Sequence, residues 1–142
     1  MSNVLPKLLS GEQASVPVAE LIGFAPTEIA TGRAVFEFVA EQRHANPMGT
    51  LHGGIMCDVA DAAMGMAYAT TLQQGESFTT IDLRINYLRP FWTGHLVATA
   101  QVVRRGRMVG YVECDIVDDE KRLIARASST CMSLQGNEAS GR

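Results

Sequence analysis

The sequence predicts an α+β fold, with one long helix lying on the face of an antiparallel sheet. Three observations carry that reading. From Ile55 to Tyr68 every residue is apolar or small except Asp58 and Asp61, which is the composition of a buried helix. A short hairpin pattern comes before it. After it come four strand-like stretches separated by turn residues.

In chain order, residues 1–16 are polar and read as an irregular, flexible lead-in to a single domain spanning residues 1–142. Pro17 to Gly23 has a proline start and a glycine stop, the pattern of a short helical turn. Phe24 to Ile29 and Ala34 to Val39 are the arms of a hairpin around Thr31-Gly32. Glu41 to Met48 is a polar loop leading to the helix. Beyond the helix and the loop Gln73 to Ser77, the stretch Phe78 to Leu88 alternates. Ile81, Leu83, Ile85 and Tyr87 fall on one face, with Thr80, Asp82, Arg84 and Asn86 on the other. Arg89-Pro90 ends that strand. Leu96 to Val103, Met108 to Val117 and Leu123 to Leu134 are three more strands, and the polar tail from Gln135 reads as frayed and flexible. One helix covers one face of one sheet, so exposed edges remain, and edge-to-edge pairing in a dimer would cover them.

The helix has two features that can do chemistry. Gly49, Gly53 and Gly54 mark a turn at its start, where the first amides lack internal partners and sit at the positive end of the dipole. Such a start can act as an oxyanion hole. Asp58 and Asp61, three residues apart, share a helix face, and spacing alone does not choose between them. Gly53 and Asp61 are eight residues apart, so roughly 12 Å along one helix axis. A base and an oxyanion donor must both reach one reacting group, so two antiparallel copies of the helix, paired in a dimer, are the natural way to combine them.

Composition sets the bounds. Hydrophobic residues make up 46% and charged residues 19%, which excludes a disordered chain. The net charge of −3 argues against a nucleic-acid partner. Carboxylates in mid-helix and the shortness of the apolar run argue against a membrane span. Cys57, Cys114 and Cys131 lack metal-ligand spacing and read as free thiols in a reducing compartment. The first residues contain no uninterrupted apolar core of a signal peptide, so a cytoplasmic protein is expected.

The segment Asn46-Pro47-Met48-Gly49-Thr50-Leu51-His52-Gly53-Gly54, with Asp61 nine residues after His52, closely resembles the hotdog-fold acyl-CoA thioesterases of the phenylacetate-pathway (PaaI-like) type. Thr80 to Pro90 resembles the strand that follows the helix in that family. The resemblance implies an antiparallel sheet wrapped around the central helix, and a metal-free enzyme without a cofactor, coenzyme A being part of the substrate. It implies Asp61 as the catalytic carboxylate, acting as general base on water or as nucleophile. By the same resemblance, the Gly53 N–H holds the thioester oxygen and His52 holds the turn. Asn46 positions the thioester or the lytic water, and Thr80 orients water. Coenzyme A contacts are implied at Asp82, Tyr87, Leu88, Arg89 and Pro90, and at the basic turn Arg104, Arg105, Gly106 and Arg107. The family shares its sites across a homodimer, and a homotetramer is expected.

Each reading has a plainer rival. Asp61 could cap a neighbouring strand, although a carboxylate in so apolar a helix is costly unless paired or used. Asp58 reads as a hydrogen-bonding structural residue, and His44 and His95 as surface residues. The arginine turn is by default solvated. Met56, Met64 and Met66 are first of all core, with a share in lining an acyl tunnel. Ser128, Ser129 and Thr130 lie in a strand rather than at a nucleophile elbow. The competing functions are an acyl-CoA-binding or sensing module and, ranked last, a hydratase or dehydratase, for which the helix has no histidine beside Asp61.

Overall fold

The computed structural model describes residues 4–140. Helix α1 (Leu5–Leu9) and helix α2 (Pro17–Ile22) lead into strands β1 (Phe24–Ala30) and β2 (Arg33–Ala40). A single 3-10 turn, Gln42–His44, precedes the long helix α3 (Gly53–Ala69). Strands β3 (Ser77–Tyr87), β4 (Gly94–Arg105), β5 (Val109–Asp118) and β6 (Leu123–Leu134) follow, and Gly136–Ala139 forms a last 3-10 turn. The six strands form one sheet in the order β1-β2-β4-β5-β6-β3, antiparallel throughout, with β1 and β3 at its edges.

Helix α3 lies in the curve of this sheet. Ala60, Ala63, Met64, Ala67 and Tyr68 are all fully buried. They meet Phe36 and Phe38 of β2, Leu96, Ala98 and Ala100 of β4, and Val112, Cys114 and Ile116 of β5 in one core. The alanines let the helix backbone approach the sheet closely, while alternation on β4 and β5 supplies the apolar face beneath it. The helix end is tied to the β1–β2 turn: the Gly32 N–H donates to Thr70 Oγ1 (2.7 Å), and that hydroxyl donates to the Ala67 carbonyl (2.6 Å).

Several details differ from the sequence expectations. The lead-in contains helix α1, whose Leu5 and Leu8 pack against the core. The tail is tied back where Gln135 Nε2 donates to Glu76 Oε1 (3.0 Å). His44 is buried: its Nδ1 accepts from the Glu41 N–H (2.9 Å), and its Nε2 lies 3.0 Å from the Ile22 carbonyl at the end of α2. His95 bridges two carboxylates, Asp119 (2.7 Å) and Glu37 (3.2 Å). Strand β3 does not alternate strictly. The register slips between Thr80 and Asp82, leaving Ile81 opposite no partner and 56% exposed. An extra residue of this kind reverses which side chains face the core. Thr80 therefore joins Phe78, Leu83 and Ile85 on the helix side.

Candidate active site

Asp61 stands on the face of α3 that the sheet leaves uncovered. Thr80 Oγ1, turned inward by the β3 bulge, donates to Asp61 Oδ1 at 3.3 Å. Asp61 is solvent-accessible, yet the apolar surface around it raises its carboxyl above the ordinary aspartate value. The nearby Asp58 charge adds to that rise, and the Thr80 hydroxyl opposes it. Both carboxylates line a cleft of about 1290 Å³ whose other walls are largely apolar, among them Phe24, Phe36, Phe78, Gly65 and Met66. Asp58 was expected to be held structurally by hydrogen bonds. It is exposed, and among the described residues it has no hydrogen-bond or ion-pair partner.

The start of α3 forms a second constellation. His52 is the N-cap, and its Nδ1 accepts from the Gly54 N–H (2.9 Å), which puts the proton of the neutral ring on Nε2. The Gly53 N–H has no acceptor among the described residues. The ring of Tyr87 closes over the helix start, where a Cβ on Gly53 would lie 2.6 Å from the ring's tip. Tyr87 Oη lies 3.3 Å from Cys57 Sγ one turn further along, and burial of the phenol, first of all, pushes its pKa up to about 12. Asn46 organises the approach to the helix: its Oδ1 accepts from the Met48 and Thr50 N–H groups (2.9 and 3.2 Å) and its Nδ2 donates to Thr50 Oγ1 (2.8 Å). The helix is unbroken between Gly53 and Asp61, so the free amide and the carboxylate stay roughly 12 Å apart within one chain.

The residues expected at coenzyme A fall into two groups. Asp82 Oδ1 accepts from the Thr130 N–H (3.0 Å) across the bulge, while Leu88 and Arg89 donate their N–H groups to the Ile124 carbonyl (2.9 and 3.2 Å), and Pro90 is exposed. The β4–β5 turn is the other group. Arg104, Gly106 and Arg107 border a shallow groove with Met108, Tyr111 and Thr130. Arg105 does not join them. Its guanidinium lies 5.0 Å from the Tyr68 ring centre and donates to Thr71 Oγ1 (3.1 Å), to Glu76 Oε2 (3.1 Å) and to the Gly106 carbonyl. With these donors committed inside the fold, Arg105 is a structural residue. The cause is a register slip between Val102 and Arg104, which turns Arg105 inward and Arg104 out. Sequence reading also missed Leu5 and Leu8 as cleft-lining residues. The only signal was their one-turn spacing on either side of Pro6.

This geometry, an antiparallel sheet wrapped around one long helix, defines a hotdog fold. Residues 48–125 match the Thioesterase superfamily, and the chain belongs to that family. Human acyl-coenzyme A thioesterase 13 is 31% identical over 103 residues, covering 71% of this chain and 73% of that protein. Among solved structures, a phenylacetic acid degradation-related protein of Ralstonia eutropha JMP134 superposes with a TM-score of 0.81 at 32% identity, covering 92% of this chain and 99% of the other. The PaaI protein of E. coli, from the phenylacetic acid degradation operon, superposes with a TM-score of 0.79 at 26% identity, covering 86% and 87%. No helix among the described residues is long and apolar enough to cross a membrane.

Proposed function

We propose that this chain hydrolyses acyl-coenzyme A thioesters, with medium-chain or aromatic acyl groups, to the free acid and coenzyme A. The observation that carries the reading is Asp61: a carboxylate with a raised pKa, in contact with a hydroxyl, on the wall of a large apolar cleft. The ionised carboxylate either takes a proton from water as that water attacks the carbonyl carbon, or attacks the carbon itself and is released by water. In both routes the C–S bond breaks, and the coenzyme A sulfur leaves and takes up a proton. The Gly53 N–H at the positive end of α3 is the donor for the developing oxyanion. Because one helix keeps that amide and Asp61 roughly 12 Å apart, the Gly53 serving a given Asp61 belongs to a second copy of the chain. The site is therefore shared across a homodimer, and two such dimers make a homotetramer.

His52 fixes the turn that presents Gly53, Asn46 sets the loop before it, and Thr80 orients the carboxylate or the attacking water. Arg104 and Arg107 take the nucleotide phosphates, with Gly106 allowing the turn and Asp82, Tyr87, Leu88, Arg89 and Pro90 along the pantetheine path. The chemistry needs no metal and no cofactor. Three unpaired cysteines fit a reducing compartment, the cytoplasm.

Thiol release from a panel of acyl-CoA esters, with wild type and Asp61→Asn side by side, tests this reading. Loss of about two to four orders of magnitude in kcat in the variant, with the oligomer intact, is the expected result. Wild-type turnover retained in Asp61→Asn would overturn it.

A further inference from the structure

The cleft beside Asp61 has three walls. The sheet supplies Phe24 and Phe36, and helix α3 supplies Gly65 and Met66. The third wall is the N-terminal strap: Leu5 and Leu8 of α1, the turn after it, and the start of α2. The strap is fastened at its far end, where Arg43 donates to the Leu21 and Ile22 carbonyls (3.1 and 3.4 Å) and His44 lies against the Ile22 carbonyl. From that anchor the chain doubles back through Gly11, which holds a positive φ of 80°, and lays α1 over the cleft with Leu5 and Leu8 facing the core.

Asp61 and Thr80 fix where a thioester carbonyl would sit, at the polar end of this cleft. From there apolar surface runs past Ala62, Gly65 and Phe78 toward α1. The Phe78 ring packs close over Gly65, where a Cβ would come within 3.3 Å of it. Leu5 and Leu8 line the same cleft as Asp61 and Thr80.

Resting on the thioesterase reading above, we propose that α1 is the far wall of the acyl site and selects extended straight-chain acyl groups over short ones. Leu5 and Leu8 are then specificity residues, contributing apolar contact only to chains long enough to reach them.

The test compares kcat/KM for decanoyl-CoA and butyryl-CoA. In Leu5→Ser/Leu8→Ser the decanoyl-to-butyryl ratio is expected to fall about tenfold, the effect of losing one to two buried methylene equivalents of contact. Leu8→Met, which keeps the apolar wall, should keep the ratio. Leu8→Trp keeps the wall apolar but fills the far end, so it should lower the ratio as well. It also answers for the double variant if that one does not fold. A ratio unmoved in Leu8→Trp and in the double variant, or equal losses on both esters, overturns the proposal while leaving the thioesterase reading intact. Calorimetric titration of decanoyl-CoA into Asp61→Asn, with and without the leucine changes, reads the same contact without turnover. Equal affinity there also overturns it. Absence of turnover with every ester in wild type would instead overturn the thioesterase reading, and the titration would then decide the fate of the chain-binding wall alone.

Discussion

From Ala63 to Ala69 every residue of α3 is buried, whereas the half from Gly53 to Ala62 keeps several groups facing open space. The buried half is saturated. Tyr68 Oη meets Ser133 Oγ at 2.9 Å, and Arg105 lies over the Tyr68 ring and ties it to Thr71 and Glu76. The open half is not. The Gly53 N–H and the Asp58 carboxylate have no partner among the described residues, and Asp61 has only a 3.3 Å contact. Among the described residues no buried side-chain nitrogen or oxygen lacks a partner, so unmet polar capacity is concentrated on the open side. One half anchors the helix, and the other keeps polar groups without partners in the fold.

The sharpest break of this contrast is Asp61→Asn, which is expected to remove activity without lowering stability. The sign follows from its pKa. A carboxyl raised above its unfolded value binds more protons in the folded state, so the ionised form weakens the fold as pH rises through the window above the unfolded value of 3.8. An amide keeps the Thr80 contact and removes that charge. Thermal melting at pH 7 should give a midpoint for the variant equal to or above wild type, and a clearly lower midpoint would mean that Asp61 is structural.

Gly110→Ala should do the reverse. A Cβ there would lie 2.3 Å from Tyr68 Cε2 and 3.1 Å from the Arg104 carbonyl, and both neighbours are fixed. Overpacking of this kind costs about 1–3 kcal/mol. Denaturant unfolding should register that loss, while kcat per folded molecule stays near wild type. A variant as stable as wild type would show that the Tyr68 end of the helix is not rigid.

Arg105 and Arg104 sharpen the contrast at the turn. Arg105→Ala strips Glu76 and Thr71 of a partner and should cost about 1–3 kcal/mol. Arg104→Ala, an exposed change, should stay within about 0.5 kcal/mol. Only the second is expected to raise KM for coenzyme A esters more than for thioesters lacking the nucleotide. Glu76 carries the pH signature of this knot. Its carboxyl is held below the ordinary value first by the Gln73 N–H, then by Gln135 and Arg105. The stability it adds is present above its unfolded value of 4.5 and fades as pH falls through its lowered one. Arg105→Ala should therefore flatten part of the acid limb of stability against pH.

These two arginines also mark where sequence reading stops. The long helix, the hairpin and the four later strands were legible, because hydrophobic periodicity and turn residues report them directly. The glycine start of α3 and the acid pair were legible too, as chemistry without partners. What was not legible traces to single-residue register slips. A bulge at Ile81 turned Thr80 toward Asp61, and another after Val102 turned Arg105 inward and Arg104 out. In both places local periodicity does not locate the extra residue, and pairing with a distant strand decides which side chain faces in. Helix α1 was missed for a related reason: five residues are too few to show a helical period, and their leucines acquire meaning only against the cleft.

Asp58 gives the smallest expected effect and the most direct test of the open half. With no partner of its own, it acts on Asp61 through charge, and that charge helps to raise the Asp61 carboxyl. Replacing it with asparagine removes the repulsion, so Asp61 ionises at lower pH. The acid limb of kcat against pH should move to lower pH, and stability should change by no more than about 0.5 kcal/mol, as for an exposed residue. On the proposed mechanism wild type would need a higher pH than the variant to ionise Asp61, because a protonated acid can neither attack nor accept the proton of water. An acid limb that does not move in Asp58→Asn would mean solvent screens the pair completely, and burial alone would then account for the raised Asp61.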